Sequence, residues 1–480
     1  MAQWAGGLSW ERVPDAVRQV AAACVIDTFG VALAGSATHP ARTALALCEA
    51  QAAGPSTVLP AVAGALGGGL AHEVAPGMRG SMQQAAFANA VAAHALDFDD
   101  NCYAGFVHGS AVIVPALLAC AEAADARGTD MLTALVAGAE CEYAVGAATR
   151  GLLYDKGWWT TGVLGPIGAA VACGKLLGLD APRMAHALAL AVGMASGTKS
   201  CFGSDAKPLM AGKAAQSGVQ AAMLARAGAS GPADPLSHAY GFAALYNQGV
   251  LDVQAMSSLG DRWYMLAPGL DIKRIPVCLS SHAAVDVLRE LIAQHGVRAQ
   301  DVESVVCDVP PIVVANLRHE MPRTPSEARF SMQFAIGMTL LDPDWGLPAL
   351  APEQVTRADL RDLMRRVRMQ TGPSWDDPAR QEQAPEGAVV QVRMRDGTTL
   401  EGRRDKALGS AAHPLSAAQL ARKFMDCATP VAGEQRALRL LSWLQAVDGP
   451  ARVRSLFEIL AAPSPADAAG ERSAWGASDA

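Results

Sequence analysis

The stretch AVVQVRMRDGTTLEGRR, residues 388–404, alternates apolar and polar side chains on both sides of Asp396-Gly397. Alternation of period two around an Asp-Gly pair predicts a β-hairpin. Before it, DVESVVCDVPPIVV (301–314) carries a β-branched run closed by Pro310 and Pro311, a second strand. Between and around these lie helix-spaced segments at 280–296 and 330–341, and a polar, Pro-rich stretch, TGPSWDDPARQEQAPEG (371–387), that reads as an exposed loop. Residues 271–404 therefore read as a compact α+β unit.

On either side the pattern is different. Residues 10–36 open with Pro14 at a helix start and place Val17, Val20, Ala21, Cys24 and Val25 at helical spacing, with Gly35 as terminator. The spans 81–96, 110–127, 130–149, 163–178, 181–196, 209–228 and 236–249 continue in the same manner, and helical spacing returns after about residue 405. The chain is half hydrophobic but only 5% aromatic, with 46 glycines, so its apolar mass is small aliphatic residues suited to close helix packing. The expected fold class is mainly α: a large all-helical domain, discontinuous over 1–270 and 405–463, with a smaller α+β domain, 271–404, inserted in it. The Gly-rich stretch 61–80 reads as a long loop and 464–480 as a disordered tail.

The bulk properties narrow the function. A net charge of −7, with no basic tract, argues against nucleic-acid binding. Ten scattered cysteines without a CxxC pair read as reduced packing residues rather than as a disulfide frame or zinc site. The N-terminus lacks signal-peptide order, and the uncharged run 158–174 is short and broken by Gly, Pro and Thr, the mark of a buried core helix. A cytoplasmic protein with no membrane partner is expected.

Chemistry concentrates in HALDFDDN (94–101), where three carboxylates interrupt an alanine-rich helical run. Buried charges are costly unless paired, metal-bound or catalytic. If the helix continues through this stretch, His94, Asp97 and Asn101 share a face at i, i+3 and i+7, while Asp99 points elsewhere. A solvated helix end is the plain alternative. A magnesium site would need a second acidic motif, and none stands out. His108 precedes an apolar helix, where the dipole disfavours its cation and keeps it available as a base; taken alone it could equally cap or pack. Lys207, before Pro208 at a helix start, is placed to meet an anion, or is a surface lysine. Lys273 and Arg274, beside a Pro-stiffened turn, suit carboxylate binding.

Taken in order, HALDFDDN with His108, DAKPLMAGKAAQSGVQAA, IKRIPVC and ARFSMQFAIGMTLL (328–341) resemble the successive signatures of the MmgE/PrpD family, as does the opening VPDAVRQVAAACVIDTFGVALAGS. The resemblance covers nearly the whole chain. It implies a large helical domain, an inserted α+β lid, a homodimer, and a site between the two domains. It also implies proton transfer next to a carboxylate of a small di- or tricarboxylic acid, without metal or organic cofactor. Members include 2-methylcitrate dehydratase, cis-aconitate decarboxylase and iminodisuccinate epimerase.

Carried onto this sequence, the decarboxylase pattern makes Asp97, His108 and Lys207 catalytic and Lys273, with Arg274, substrate-binding. Asn101 stands where the family often has Thr, Trp159 and Cys278 where the decarboxylase has histidines, and Met210 where its lysine motif ends in His. Losing the three histidines removes proton donors, and Trp159 adds a large apolar surface, which argues for a smaller, less charged or differently shaped substrate. Asp99 and Asp100 are expected to cap, pair or be solvated. Three readings follow: a lyase (dehydratase or decarboxylase), an isomerase or epimerase of the iminodisuccinate type, and a carboxylate-binding homologue without turnover.

Overall fold

The computed structural model describes residues 1–49, 54–60 and 78–462. Most of the Gly-rich stretch 61–80 and the tail 464–480 lie outside the described residues. The protein is mainly α, with a four-stranded sheet as its principal β element.

The helices Asp15–Gly35, Met82–His94, Gly109–Ala123, Gly128–Ala148, Thr160–Leu176 and Ala206–Arg226 pack around one another, with Ala417–Ala432 closing against the first. Met82–His94 is central, and its start is encoded locally. Ser81 Oγ accepts from Gln84 N at 3.2 Å, and Gln84 Oε1 accepts from Ser81 N at 3.0 Å, a capping box worth about 1 kcal/mol. Small residues let its neighbours approach. A Cβ at Gly35 would sit 1.9 Å from Ala92 O, and one at Gly212 would sit 2.7 Å from Phe87 O. Bulk at either position would push a helix off the central one.

Among the described residues one helix, Asp15–Gly35, has the length and apolar character of a membrane span. Most of its apolar stretch is buried, and Asp27 in its middle pairs with Lys423 Nζ at 2.6 Å. The run 158–174 forms the buried helix Thr160–Leu176. All ten cysteines are free thiols, nine of them buried.

A second apolar core gathers residues from Ile275 to Leu400, between two stretches that both contribute to the helical core. Its sheet runs in the order Val367–Gln370, Val302–Asp308, Ala388–Met394, Thr399–Arg404. The first pair is parallel and the others antiparallel. The Asp396-Gly397 hairpin turns with Gly397 at φ 89° and Met394 N donating to Thr398 O. The helices His282–His295 and Met332–Leu341 pack with this sheet.

Three local expectations differ from the structure. The central helix ends at His94, not 96, and Asp97 takes a left-handed φ of 51°, so the anticipated i, i+3, i+7 face does not exist. Aspartate tolerates that conformation better than most residues. The span 236–249 holds only the short helix Phe242–Tyr246, because Gly241 and Gly249 with Pro235 break it. The loop 371–387 is not wholly exposed. Trp375 is buried under it, and its end carries Glu386 into the interior.

Candidate active site

Between the two cores lies a cavity of ≈ 50 Å³ whose walls include Asp97, Asn101, His108, Trp159, Lys207, Lys273 and Cys278. Seven of the eight residues singled out by sequence meet there, from four separate segments. Arg274 does not. Its guanidinium turns to Asp286 Oδ1 at 3.0 Å, because neighbouring residues on an extended turn point opposite ways and only Lys273 faces inward.

The assembly depends on one short antiparallel ladder, Asn101–Cys102 against Leu270–Asp271. It joins the aspartate turn to the segment that opens the sheet-bearing region, and sets Lys273 over Asp97. From behind, Lys423 Nζ donates to Phe98 O at 2.8 Å and pairs with Asp27, pinning the turn.

Asp97 is the electrostatic centre. Its carboxylate is ion-paired to Lys207 through Oδ1 and lies 3.3 Å from Lys273 Nζ through Oδ2; Lys273 also donates to Asp97 O at 2.7 Å. Burial alone would raise the Asp97 pKa, but the two ammonium groups outweigh it and hold the carboxyl well below its ordinary value. Burial lowers the Lys273 pKa, and Asp97 and Asp99 more than compensate, so Lys273 stays charged. The cavity wall thus carries two ammonium groups on the Asp97 carboxylate, with Asp99 close enough to Lys273 to act on it as well.

His108 caps the helix Gly109–Ala123 and is held by its backbone N donating to Thr161 Oγ1 at 3.0 Å. Its Nδ1 lies 2.6 Å from Asp100 O and 3.4 Å from Asp99 Oδ2. A carbonyl can only accept, so Nδ1 carries the hydrogen and Nε2 keeps the lone pair. Burial depresses the His108 pKa to about 3, with Lys273 and Lys207 adding to it and Asp99 opposing. The imidazole is thus neutral.

Asp99 and Asp100 are buried, not solvated. Asp99 Oδ2 accepts from His94 Nδ1 at 2.7 Å; burial raises its pKa, but the two imidazoles and Lys273 pull it far below normal. His94 is kept neutral chiefly by burial, and Trp159 packs against it at 5.4 Å between ring centroids. Trp159 therefore both lines the cavity and covers His94. Asp100 accepts from Ser110 Oγ and faces the core, where burial with Asp27 and Asp99 nearby raises its pKa to about 7.

The roof contains groups the sequence did not flag. Glu386 accepts from Tyr103 and Ser280, Asn316 donates to Ser280 Oγ at 3.1 Å, and Tyr154 donates to Asn316 Oδ1 at 3.1 Å. Burial raises the Glu386 pKa and pushes the Cys278 thiol to about 11, so Cys278 is protonated at neutral pH. Glu386 ends a polar run that carries no local pattern, which is why only the tertiary fold reveals it.

His94, Asp99 and His108 bring three ligand-type atoms within 4.8 Å of one another. His94 Nδ1 and His108 Nδ1 are engaged with Asp99 Oδ2 and Asp100 O, which ties the three side chains into one hydrogen-bonded set.

Residues 1–253 match the MmgE/PrpD N-terminal domain and residues 275–447 the MmgE/PrpD C-terminal domain. The chain belongs to the MmgE/PrpD family. Among curated relatives, cis-aconitate decarboxylase of Homo sapiens is 28% identical over 478 residues, covering 96% of this chain and 94% of the relative. The Mus musculus enzyme of the same name is 28% identical over 82% of each chain. That of Aspergillus terreus is 23% identical over 79% of this chain and 81% of the relative. For this MmgE/PrpD chain, the boundary between the two matched domains, 253 to 275, contains the ladder residues Leu270–Asp271 that complete the cavity.

Proposed function

We propose that this protein is a lyase that moves a proton next to a carboxylate of a small di- or tricarboxylic acid, as a dehydratase or a decarboxylase, without a metal or organic cofactor. The observation that carries the reading is the pairing of two buried ammonium groups on a single carboxylate beside a neutral imidazole. The two ammonium groups receive a substrate carboxylate and stabilise the enolate-like charge that develops on it. His108 Nε2 is the general base. In a dehydration it takes the α-proton and the electron pair collects on the held carboxylate. The pair then forms the C=C bond as the C–O bond to the β-hydroxyl breaks, and His108 Nε2 gives the proton it took to that hydroxyl, which leaves as water. In a decarboxylation an anionic substrate beside His108 raises its pKa so that Nε2 takes a proton from solvent. The C–C bond to the departing carboxylate breaks, CO₂ leaves, and Nε2 gives that proton to the carbon that lost the CO₂. Asp97 fixes both lysines; Asp99 orients the imidazole with its Nδ1–H inward.

A cavity of ≈ 50 Å³ has room for about two waters. Substrate access therefore requires the sheet-bearing region, 271–404, to act as a lid that parts from the helical region. A cytoplasmic homodimer is the assembly that accords with family membership.

Cys278 favours one second reading. A protonated thiol from the sheet-bearing region and a neutral imidazole from the helical region line the same cavity. One can remove a proton from a carbon and the other return it, the requirement of an epimerase.

Proton NMR in D₂O of chelator-treated enzyme tests these readings, with citrate, methylcitrate, cis- and trans-aconitate, malate-type acids and iminodisuccinate as substrates. Loss of a substrate signal with a new alkene or CO₂-depleted product supports the lyase. Deuterium exchange with inversion and no net loss supports the epimerase. His108→Ala should lower kcat by about 10²–10⁴-fold; full turnover in that variant removes the proposed base.

A further inference from the structure

A larger recess of ≈ 450 Å³ adjoins the catalytic cavity and shares Asp97, Lys207 and Phe330 with it. The mechanism above uses Lys207 from the cavity side only. On the recess side the walls add Arg42 and Arg329. The N-terminal ends of two helices, His39–Glu49 and Ala206–Arg226, also open onto it through Thr38 and Ser204. Their macrodipoles present positive potential to the recess.

Arg329 is the decisive group. Its Nε is buried and meets no acceptor among the described residues. No carboxylate lies within ion-pair distance of its guanidinium among the described residues. Burial lowers its pKa to about 10, with Asp97 and Asp205 opposing, so it remains charged at neutral pH. The two acids on the recess wall are already engaged. Asp97 is held by its two lysines, and Asp205 Oδ2 lies 2.8 Å from His39 Nδ1. A half-buried guanidinium whose Nε is buried without an acceptor, and which has no carboxylate partner among the described residues, calls for an anion.

A second recess, of ≈ 1180 Å³, touches the cavity through Phe106, Tyr154 and Asn316. Its cations are spoken for. Arg150 pairs with Asp252 at 3.0 Å, Arg262 donates to Ala267 O at 3.2 Å, and Lys199 lies over the Tyr154 ring at 3.5 Å. None of the three has a buried donor left without a partner, as Arg329 has.

We propose that the ≈ 450 Å³ recess is a capture site for the carboxylates of the substrate, with Arg329 as its anchor and Lys207 as the group shared with the catalytic cavity. Its volume lies in the range of small-molecule sites, whereas the cavity is too small for a di- or tricarboxylate until the two regions part. A substrate held first on Arg329 already has one carboxylate within reach of the wall that carries Lys207. The inference rests on the carboxylate-substrate reading given above and adds a residue and a place to it.

The test pairs equilibrium binding with kinetics on the full chain. Tricarballylate, a tricarboxylate with no β-leaving group, is titrated calorimetrically into the wild type, Arg329→Gln, Arg329→Lys and His108→Ala. Steady-state kinetics follow for whichever panel acid turns over. Arg329→Gln should weaken tricarballylate binding by about tenfold or more and raise KM by a similar factor, with kcat within about twofold. Arg329→Lys should recover part of the loss, and His108→Ala should bind as the wild type does.

Wild-type binding and KM in Arg329→Gln would overturn the proposal, as would a fall in kcat with binding unchanged. If the Arg329 variants do not fold, Arg42→Gln is read in the same way; a KM raised about threefold supports the site and an unchanged KM overturns it. Should no panel acid turn over while tricarballylate binding still depends on Arg329, the capture site stands and the lyase reading falls. Turnover with a KM indifferent to Arg329 and Arg42 gives the reverse.

Discussion

Asp97 and Asp100 lie three residues apart in one turn, both buried, yet their carboxyls are driven in opposite directions. Asp97 faces two ammonium groups and is held well below the ordinary carboxylate range; Asp100 faces Ser110 and the helical core and rises to about 7. Burial pushes both carboxyls upward. What differs is whether the opposite wall supplies cations, and that wall is built from segments more than a hundred residues away. One side of the turn is a pre-charged site, the other a reservoir of reluctant acids that includes Glu142, whose carboxyl oxygens meet no donor among the described residues.

The contrast can be broken most directly at Asp97. Asp97→Ala should abolish measurable turnover, a loss of about 10³-fold or more, and cost about 3 kcal/mol of stability, because it leaves two buried ammonium groups uncompensated. Chemical denaturation and steady-state kinetics read both. Asp100→Asn, by comparison, should keep kcat within about tenfold, since it changes the core side and leaves the lysine pair intact. Equal losses in the two variants would erase the distinction between the sides.

Asp99→Asn sharpens it. An amide keeps the shape but removes the charge that opposes burial at His108 and His94, and kcat should fall by about 10–100-fold with the fold retained. The wild-type pH profile follows from the same geometry. With the His108 pKa at about 3, the base is already neutral throughout the mildly acidic range, so kcat/KM should show no ionisation near 6.5 between pH 5 and 8. A limb at the ordinary histidine value would mean that the imidazole is not held as described.

The smallest effect belongs to the core side. Glu142 has its pKa raised to about 8, chiefly by burial with Asp100 adding to it. A raised acid binds its proton more tightly in the folded state, so stability falls as pH rises from the unfolded value near 4 towards 8. Glu142→Gln removes that dependence, and should raise the melting temperature by about 2 °C or more at pH 8, with a smaller gain at pH 5.

Much of the helical core and both partners of the 388–404 hairpin were legible in the sequence, because spacing, capping and Asp-Gly turn chemistry act over a few residues. Ser81 and Gln84 start their helix without help from elsewhere. The 236–249 span was misjudged for the complementary reason: apolar spacing survives there, but glycine and proline break the helix. The acidic turn, His108, Lys207 and Lys273 were also visible as residues out of keeping with their surroundings.

The sequence alone therefore determined most of the helices, the alternating hairpin at 388–404, and the set of charged groups that needed partners. It could not say which groups partner which. That Lys273 faces Asp97 while Arg274 turns to Asp286, that Glu386 reaches the roof, and that Arg329 stays unpaired beside the cavity were decided by the tertiary structure. The physical reason is that local preferences fix backbone torsions, whereas a buried charge is set by whatever distant segments the closed core brings within a few ångströms of it.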